Sequence, residues 1–173
     1  INEDILKKAL NQELQEGILI QDFIGETSCV FLRSLYHAEK EIAEKLHQLQ
    51  SIATPWPSVE ISGTIDWVEK KNQISLSQSQ KQAFHIVLSG KITIITGGPG
   101  VGKTTLLRSL LQILAAQKMR LALCAPTGRA AKRMTETTGF EAKTIHRLLN
   151  IIPETGSFAH NDNTPLDSDV VVV

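Results

Sequence analysis

The sequence predicts an α/β fold, a parallel sheet with helices on its faces, preceded by a small α+β module. Three observations support this prediction. Short apolar strands alternate with helices beyond Gly90, a glycine-rich loop joins one strand to a helix, and the first fifty residues follow a helix, hairpin, helix order. With 42% hydrophobic residues in a chain of 173, one sizeable core or two small ones can form.

The amino-terminal module is predicted from apolar periodicity. Gly17 interrupts a helical spacing, and Gly25-Glu26-Thr27-Ser28 separates two short apolar runs as in a hairpin. The predicted elements are a helix over 4–15, strands over 18–20 and 29–32, and a helix over 34–50. We assign residues 1–54 to this accessory module, whose element order resembles a winged helix.

A boundary is predicted where prolines interrupt the helical pattern. Pro55-Trp56-Pro57 favours a turn or linker, and we assign 55–75 to a linker with a short helix near 61–71. The remaining residues, 76–173, form the second predicted domain. Its first helix begins after Ser77, since Gln80 three residues on completes a capping-box pattern.

Beyond Gly90 the pattern predicts alternating strands and helices. The predicted strands cover 92–96, 121–125 and 169–173, and the predicted helices cover 102–117, 128–138 and 143–149. The polar stretch 153–165 is predicted to be a helix-free surface loop. Cys29 and Cys124 lie in apolar surroundings without a partner at metal-binding spacing, so we expect them to have only a packing role.

The segment Gly97–Thr104 matches the pattern G-x-x-x-x-G-K-S/T in full, after a predicted strand and before a predicted helix. Glycines let backbone N–H groups approach phosphate oxygens, and the following helix adds the partial positive charge of its N-terminus. A nucleoside triphosphate, ATP with Mg²⁺, is therefore the expected ligand. Its expected contacts are Gln80, Gly98, Pro99, Gly100, Val101, Gly102, Lys103, Thr104 and Thr105.

Within this loop, Lys103 and Thr104 have the expected catalytic roles. Lys103 supplies a cation for the outer phosphates, and the Thr104 hydroxyl is the expected Mg²⁺ ligand. A glycine turn that merely joined a strand to a helix would not explain a lysine and a threonine at these two positions.

Charge is uneven along a chain that is neutral overall. Residues 91–150 hold ten Lys and Arg against two Asp and Glu, whereas acidic residues predominate in 1–90 and 151–173. A basic middle favours a polyanionic partner such as nucleic acid, although uneven surface charge without a partner remains an alternative. No apolar stretch is long enough to span a membrane, and the charged beginning is unlike a signal peptide, so a cytoplasmic location is expected.

An ordered series of segments resembles one family. The series is Leu76–Gln80, Ile95–Thr105, Ala125–Ala131 and Thr144–Leu149, with a later stretch from Phe158 to Leu166. It is similar to the RecD-like superfamily 1 DNA helicases, which include a stand-alone type and the alpha subunit of exodeoxyribonuclease V. The resemblance covers roughly 75–173 and implies a RecA-like P-loop NTPase lobe in a protein of DNA repair and recombination.

The resemblance also implies roles for individual residues. Gln80 matches the glutamine that reads the adenine edge, and its role as a helix cap is an alternative compatible with this one. Single-stranded DNA at a duplex junction is the implied partner. Its implied contacts are Pro126, Thr127, Gly128, Arg129, Thr144 and His146. An exposed helix with solvated charges is the alternative for the first four, and a structural role is the alternative for His146.

Both ends of the sequence suggest a fragment, because it begins at Ile1 without methionine and stops within Val170–Val173. The family's last strand leads into an Asp-Glu pair, for which Asp169 cannot substitute, and a second motor lobe follows. The isolated fragment is therefore expected to be inactive, and the intact protein to translocate 5′ to 3′ on DNA. A different P-loop ATPase or kinase, or a nucleotide-gated binding module, remains an alternative.

Overall fold

The computed structural model describes residues 2–54 and 61–173. The chain divides into two compact units, Ile1–Ala53 and Thr54–Val173, which we describe separately. The turn predicted at Pro55-Trp56-Pro57 lies outside the described residues. The sequence-based domain limits stay predictions.

The first unit contains the predicted helix, hairpin and helix. Its elements are α1 (Glu3–Gln15), β1 (Leu19–Ile24), β2 (Thr27–Leu32) and α2 (Arg33–Ser51). The strands pair antiparallel with Leu19 opposite Leu32 and Ile24 opposite Thr27, so Gly25 and Glu26 form a two-residue turn. Gly25 has a φ of 60°, as such a turn requires.

Polar contacts connect α2 to the hairpin of the first unit. The Tyr36 hydroxyl donates to Asp22 in β1, and the Arg33 guanidinium donates to the carbonyl of Gly17 at 3.2 Å. The hydrogen bond from Tyr36 is the main cause that lowers the pKa of Asp22. None of residues 2–54 is fully buried, so apolar packing in this unit is limited. The polar contacts add to the stability that this packing provides.

The second unit places helices around a three-stranded sheet. Its elements are α3 (Ile61–Asn72), α4 (Gln78–Ser89), α5 (Lys103–Ala116), β3 (Leu121–Ala125), α6 (Gly128–Thr138), β4 (Ala142–Thr144), α7 (Ile145–Leu148) and β5 (Val170–Val172). The strand order is β4-β3-β5, and both pairings are parallel. This arrangement confirms the predicted α/β class with a parallel sheet.

The core of this unit lies among α3, α4 and α5. Its buried members are all apolar: Ile65, Val68, Leu76, Phe84, Leu88, Leu106, Leu110, Ile113 and Leu114. Cys124 is buried in β3, and burial raises the pKa of its thiol. Within the described ranges, no helix has both the length and the apolar character needed to cross a membrane.

One sequence-based element prediction is wrong, and another has the wrong beginning. The run 92–96 is not a strand, because its backbone makes no ladder with β5, and a cavity of ≈ 340 Å³ is lined by both segments. Isoleucine-rich sequence favours a strand, but a strand also needs a pairing partner. The helix predicted over 143–149 is confirmed only from Ile145 to Leu148, because β4 occupies the residues before it.

The segment after α7 is the predicted helix-free loop. It folds back on itself, with Ile151 bridged to Phe158 and Asn161 bridged to Thr164. The loop is also bonded to α7, because the His160 N–H donates to the Leu149 carbonyl at 3.1 Å.

Arg120 and Asp169 connect the amino-terminal ends of β3 and β5. The guanidinium donates to both carboxylate oxygens at 2.8 and 3.1 Å, and the backbone N–H of Arg120 donates to Asp169 at 2.8 Å. Asp167 accepts a further bond from the same guanidinium. Arg120 holds the pKa of Asp169 at about 2, below its ordinary value of 3.8. Asp169 therefore has a structural role at this end of the sheet.

Replacing Asp169 by Asn should remove one component of acid sensitivity. A lowered folded-state pKa means that the stabilisation is present above about pH 4 and is lost as the pH falls toward 2. We expect Asp169→Asn to be less stable than the wild type at pH 7 and to show a flatter decline between these two values. Urea unfolding at a series of pH values measures this, and parallel curves for the two proteins would contradict it.

Candidate functional site

The glycine-rich loop enters α5 through two residues with positive φ. Gly100 and Gly102 have φ values of 77° and 85°, in the left-handed region that residues with a Cβ rarely adopt. Gly102 is the N-cap residue, and the first helical bond joins Leu106 N–H to its carbonyl at 2.9 Å. The N–H groups of Lys103, Thr104 and Thr105 therefore have no carbonyl partner within the helix, as anion binding requires.

Lys103 lies over its own loop. Its ammonium group donates to the carbonyl of Gly97 at 2.5 Å and also to the carbonyl of Gly98. Phosphate oxygens are stronger acceptors for this cation than neutral carbonyls are. The side chain is thus already at the loop where outer phosphates would bind.

Gln80 has two contacts that use different ends of its amide. Its Oε1 accepts from the Ser77 N–H at 2.9 Å, while the backbone N–H of Gln80 donates to Ser77 Oγ at 3.3 Å, which completes the predicted capping box. Its Nε2 packs on Gly102, where an added Cβ would lie only 2.6 Å away. The cap therefore places the Gln80 amide directly beside the glycine-rich loop.

A cavity of ≈ 290 Å³ lies between α4 and the loop. Side chains of Ser79, Gln80, Ala83, Ile86, Val101 and Leu106 contribute to its lining. Thr93, Thr96 and Lys103 add polar groups to this lining. Apolar surface with a few polar groups is the type of lining that suits a flat heteroaromatic base.

The carboxyl ends of β3 and β4 bring two predicted segments together. Ala125 pairs with Thr144, so the segments that follow each strand begin at the same edge of the sheet. Thr127 and Thr144 are N-caps, and their hydroxyls accept from the N–H groups of Ala130 and Arg147, each at 3.2 Å. These hydroxyls position α6 and α7.

A groove of ≈ 470 Å³ lies between α6 and the β4–α7 segment. Its lining contains two of the predicted contacts, Gly128 and Thr144, together with Ala131, Lys132, Glu141, Ala142, Lys143 and Arg147. Three cations against one carboxylate give the groove a net positive charge. We call this surface the basic groove.

The other predicted contacts do not line the basic groove. Pro126 and Arg129 are exposed beside it. His146 is exposed on α7, and its ring lies 5.9 Å from that of Phe158.

Sequence reasoning did not select Lys143 and Arg147. Lys143 was hidden by the wrong beginning of the helix predicted over 143–149. Arg147 lies three residues after the predicted Thr144, within one helical turn, and that spacing was the available signal.

Comparisons with known proteins agree with this geometry. A protein-family model described as "AAA domain" matches residues 80–173. The chain is 35% identical over 145 residues to an "ATP-dependent RecD2 DNA helicase" of Deinococcus radiodurans, which covers 83% of this chain and 19% of that protein.

Two further relatives are an enzyme subunit and a DNA helicase. "RecBCD enzyme subunit RecD" of Mycolicibacterium smegmatis is 40% identical over 120 residues, covering 56% of this chain and 22% of the relative. "ATP-dependent DNA helicase dda" of Enterobacteria phage T4 is 37% identical over 86 residues, covering 46% and 20%. The chain thus spans about a fifth of the length of these relatives. The matches confirm the resemblance to RecD-like superfamily 1 helicases.

Gly102→Ala should disturb both the loop and its contact with Gln80. The left-handed backbone costs a residue with a Cβ about 1–2 kcal/mol, and the new methyl group would also displace the Gln80 amide. We expect a lower thermal midpoint and weaker ATP binding, measured by thermal unfolding and by titration calorimetry.

Gly98→Ala is the matched control for the stability measurement. Gly98 has no positive φ, and an added Cβ would meet no atom within 4 Å. Its thermal midpoint should equal that of the wild type. Equal losses in the two alanine variants would contradict the role given to Gly102.

Proposed function

The chain belongs to the AAA domain family, and we propose that it forms the ATP-binding lobe of a RecD-like, ATP-dependent DNA helicase. In this proposal, ATP binding and hydrolysis drive 5′ to 3′ translocation along single-stranded DNA toward a duplex junction. The observation that carries the proposal is the loop that enters α5, with its free N–H groups and Lys103 placed at one point.

The triphosphate is the ligand that this loop fits best. Three helical N–H groups without partners supply donors, and Lys103 exchanges two neutral carbonyl partners for phosphate oxygens. Left-handed backbone at Gly100 and Gly102 leaves no side chain between the loop and the ligand.

Thr104 is the residue that we assign to Mg²⁺. When bound there, Mg²⁺ would supply positive charge that neutralises the phosphates. Thr104 is exposed at the start of α5 and lines the cavity that also contains Lys103. Within 2–54 and 61–173 there is no group of three or more His, Cys, Asp or Glu that could hold a metal ion. In this proposal the Thr104 hydroxyl and the phosphates themselves would supply ligands for the ion.

Gln80 is the residue that we assign to the base. The edge of adenine offers an N6 amino donor beside an N7 acceptor, and a glutamine amide presents the complementary acceptor and donor. Guanine has a carbonyl oxygen in place of the amino group, which would face Gln80 Oε1 as a second acceptor. The cavity between α4 and the loop provides the apolar surroundings for the ring.

The basic groove is the surface that we assign to single-stranded DNA, together with the exposed residues Pro126, Thr127, Arg129 and His146 around it. Its position at the carboxyl ends of β3 and β4 supports this assignment, because loops at that edge are where parallel sheets bind ligands. Lys132, Lys143 and Arg147 offer charge to a phosphodiester backbone, and contacts of this type do not depend on base sequence.

Lys103→Ala tests the nucleotide part of the proposal. Loss of the ammonium group should weaken ATP binding and abolish ATP-driven strand separation by the protein that contains this chain. Calorimetry measures the first effect and a fluorescent duplex-unwinding assay the second. Retained unwinding by the variant would refute the assignment.

Stimulation by DNA tests the helicase proposal against a small-molecule kinase. ATP hydrolysis by the wild-type protein that contains this chain should rise when single-stranded DNA is added, whereas the ATPase rate of a kinase would not change.

Lys143→Gln and Arg147→Gln test the basic groove. Each loss of a phosphate contact should weaken binding of a labelled oligothymidine and reduce the slope of log affinity against log salt by about one. Fluorescence anisotropy over a salt series measures both quantities.

Lys118→Gln is the matched control for the basic groove. Lys118 is an equally exposed lysine, but it precedes β3 at the opposite end of the strand. An equal loss in this variant would indicate non-specific charge attraction and would overturn the assignment.

A further inference from the structure

Glu69 in α3 holds the turn that leads into α4. Its Oε1 accepts from the Leu76 N–H at 2.7 Å, and Lys81 of α4 approaches the same carboxylate at 3.0 Å. The Glu69 side chain is only 19% exposed, and Leu76 is buried in the core. The hydrogen bond from Leu76 and then that from Lys81 lower the pKa of Glu69, so the carboxylate is charged at neutral pH.

A continuous series of contacts runs from this carboxylate to the nucleotide loop. The N–H of Ser77, one residue after Leu76, donates to Gln80 Oε1 at 2.9 Å. The Nε2 end of the same amide packs on Gly102. The orientation of the Gln80 amide thus depends on the position of the Ser77 N–H. Glu69 restrains that position because it binds the N–H of the preceding residue, Leu76.

The turn between α3 and α4 needs such an anchor. Gln73 has a φ of 52°, in the left-handed region that costs a residue with a Cβ some free energy. The bond from the Ile74 N–H to the Glu69 carbonyl at 3.1 Å fixes the beginning of the turn, and the Glu69 carboxylate fixes its end. One residue therefore holds the turn at both ends.

We propose that Glu69 is a positioning residue that sets the preference of the site for adenine by fixing the orientation of Gln80. The inference rests on the proposed function, since it names what determines base selectivity at the same site. The phosphate-binding residues lie on a different segment, from Gly97 to Thr105, whereas the contacts of the Glu69 carboxylate are with Leu76 and Lys81. Loss of Glu69 should therefore change recognition of the base and leave recognition of the phosphates intact.

The test compares three ligands, ATP, GTP and inorganic tripolyphosphate, each with Mg²⁺, by titration calorimetry. A hydrogen bond to a charged group is worth enough that Glu69→Ala should reduce the ATP-over-GTP preference by about tenfold. Tripolyphosphate affinity should stay at the wild-type value. Glu69→Gln should recover most of the preference, because its amide oxygen can still accept from the Leu76 N–H.

Two further variants separate positioning from general stability. Gln80→Ala should lose the same preference, and adding Glu69→Ala to it should cause no further loss, since both act through one amide. Glu3→Ala is the matched control. It also removes a glutamate from an ion pair with a lysine, at 2.7 Å, but in the exposed first turn of α1, and it should leave all three affinities unchanged.

The outcomes are distinguishable. Equal losses for ATP, GTP and tripolyphosphate in Glu69→Ala would indicate a role in folding alone and overturn the inference. An unchanged ATP-over-GTP ratio would also overturn it, while Gln80→Ala would still test the adenine assignment. If the wild type binds tripolyphosphate but does not distinguish ATP from GTP, both the adenine assignment of Gln80 and the role of Glu69 are refuted. The assignment of the phosphate loop would then still stand. A wild type that binds no tripolyphosphate would refute the proposed function itself.

Discussion

The burial of α5 is the constraint on which the nucleotide site depends. One side of this helix enters the core through Leu106, Leu110, Leu111, Ile113 and Leu114. Full burial of one such side chain stabilises by about 1.5–3 kcal/mol, so several of them together exceed the strain of the left-handed loop residues. Packing in the core thus sets the position of the helix, and with it the direction of its first N–H groups. The loop that enters the helix needs glycines at the two positions where its backbone is left-handed.

The sheet fixes the basic groove in the same way, because its pairing sets where the segments that line the groove begin. β3 is paired on both sides, with β4 and β5, and Arg120 with Asp169 holds the amino-terminal ends of β3 and β5. Parallel pairing then brings the segments after β3 and β4 to one edge. Residues 128 and 144 meet in the basic groove for this reason, although sixteen positions separate them in sequence.

Local sequence patterns predicted the helices and the glycine-rich loop well, because both depend on near neighbours. The capping box at Ser77 and Gln80 and the loop from Gly97 to Thr105 are of this kind. The errors occurred where a partner distant in sequence decides the structure. Residues 92–96 have strand-like composition, but their sequence does not show whether they pair with β5, and in the structure they do not. The same limit hid β4, whose three residues are a strand only because β3 lies beside them.

The candidate site residues also differ in whether local sequence is enough to predict them. Lys103 and Thr104 could be selected from the spacing of the loop motif, whereas the adenine role of Gln80 was expected from the family resemblance. Lys143 and Arg147 could not, because their place in the basic groove depends on the register that sets Ala125 opposite Thr144. No sequence motif identifies Glu69. Its position beside Leu76 and Lys81 is a product of how α3 packs on α4, and only the folded chain reveals it.

The two interpretations of Gln80, helix cap and reader of adenine, are compatible at the level of its atoms. A carbonyl oxygen has two lone pairs, and the bond from Ser77 N–H occupies one of them. The second lone pair of Oε1 and one Nε2 hydrogen are the groups that an adenine edge needs. The cap therefore fixes the amide before a base arrives, which lowers the entropy that binding must overcome. A helix cap that is also a base contact makes the amino-terminal end of α4 part of the site.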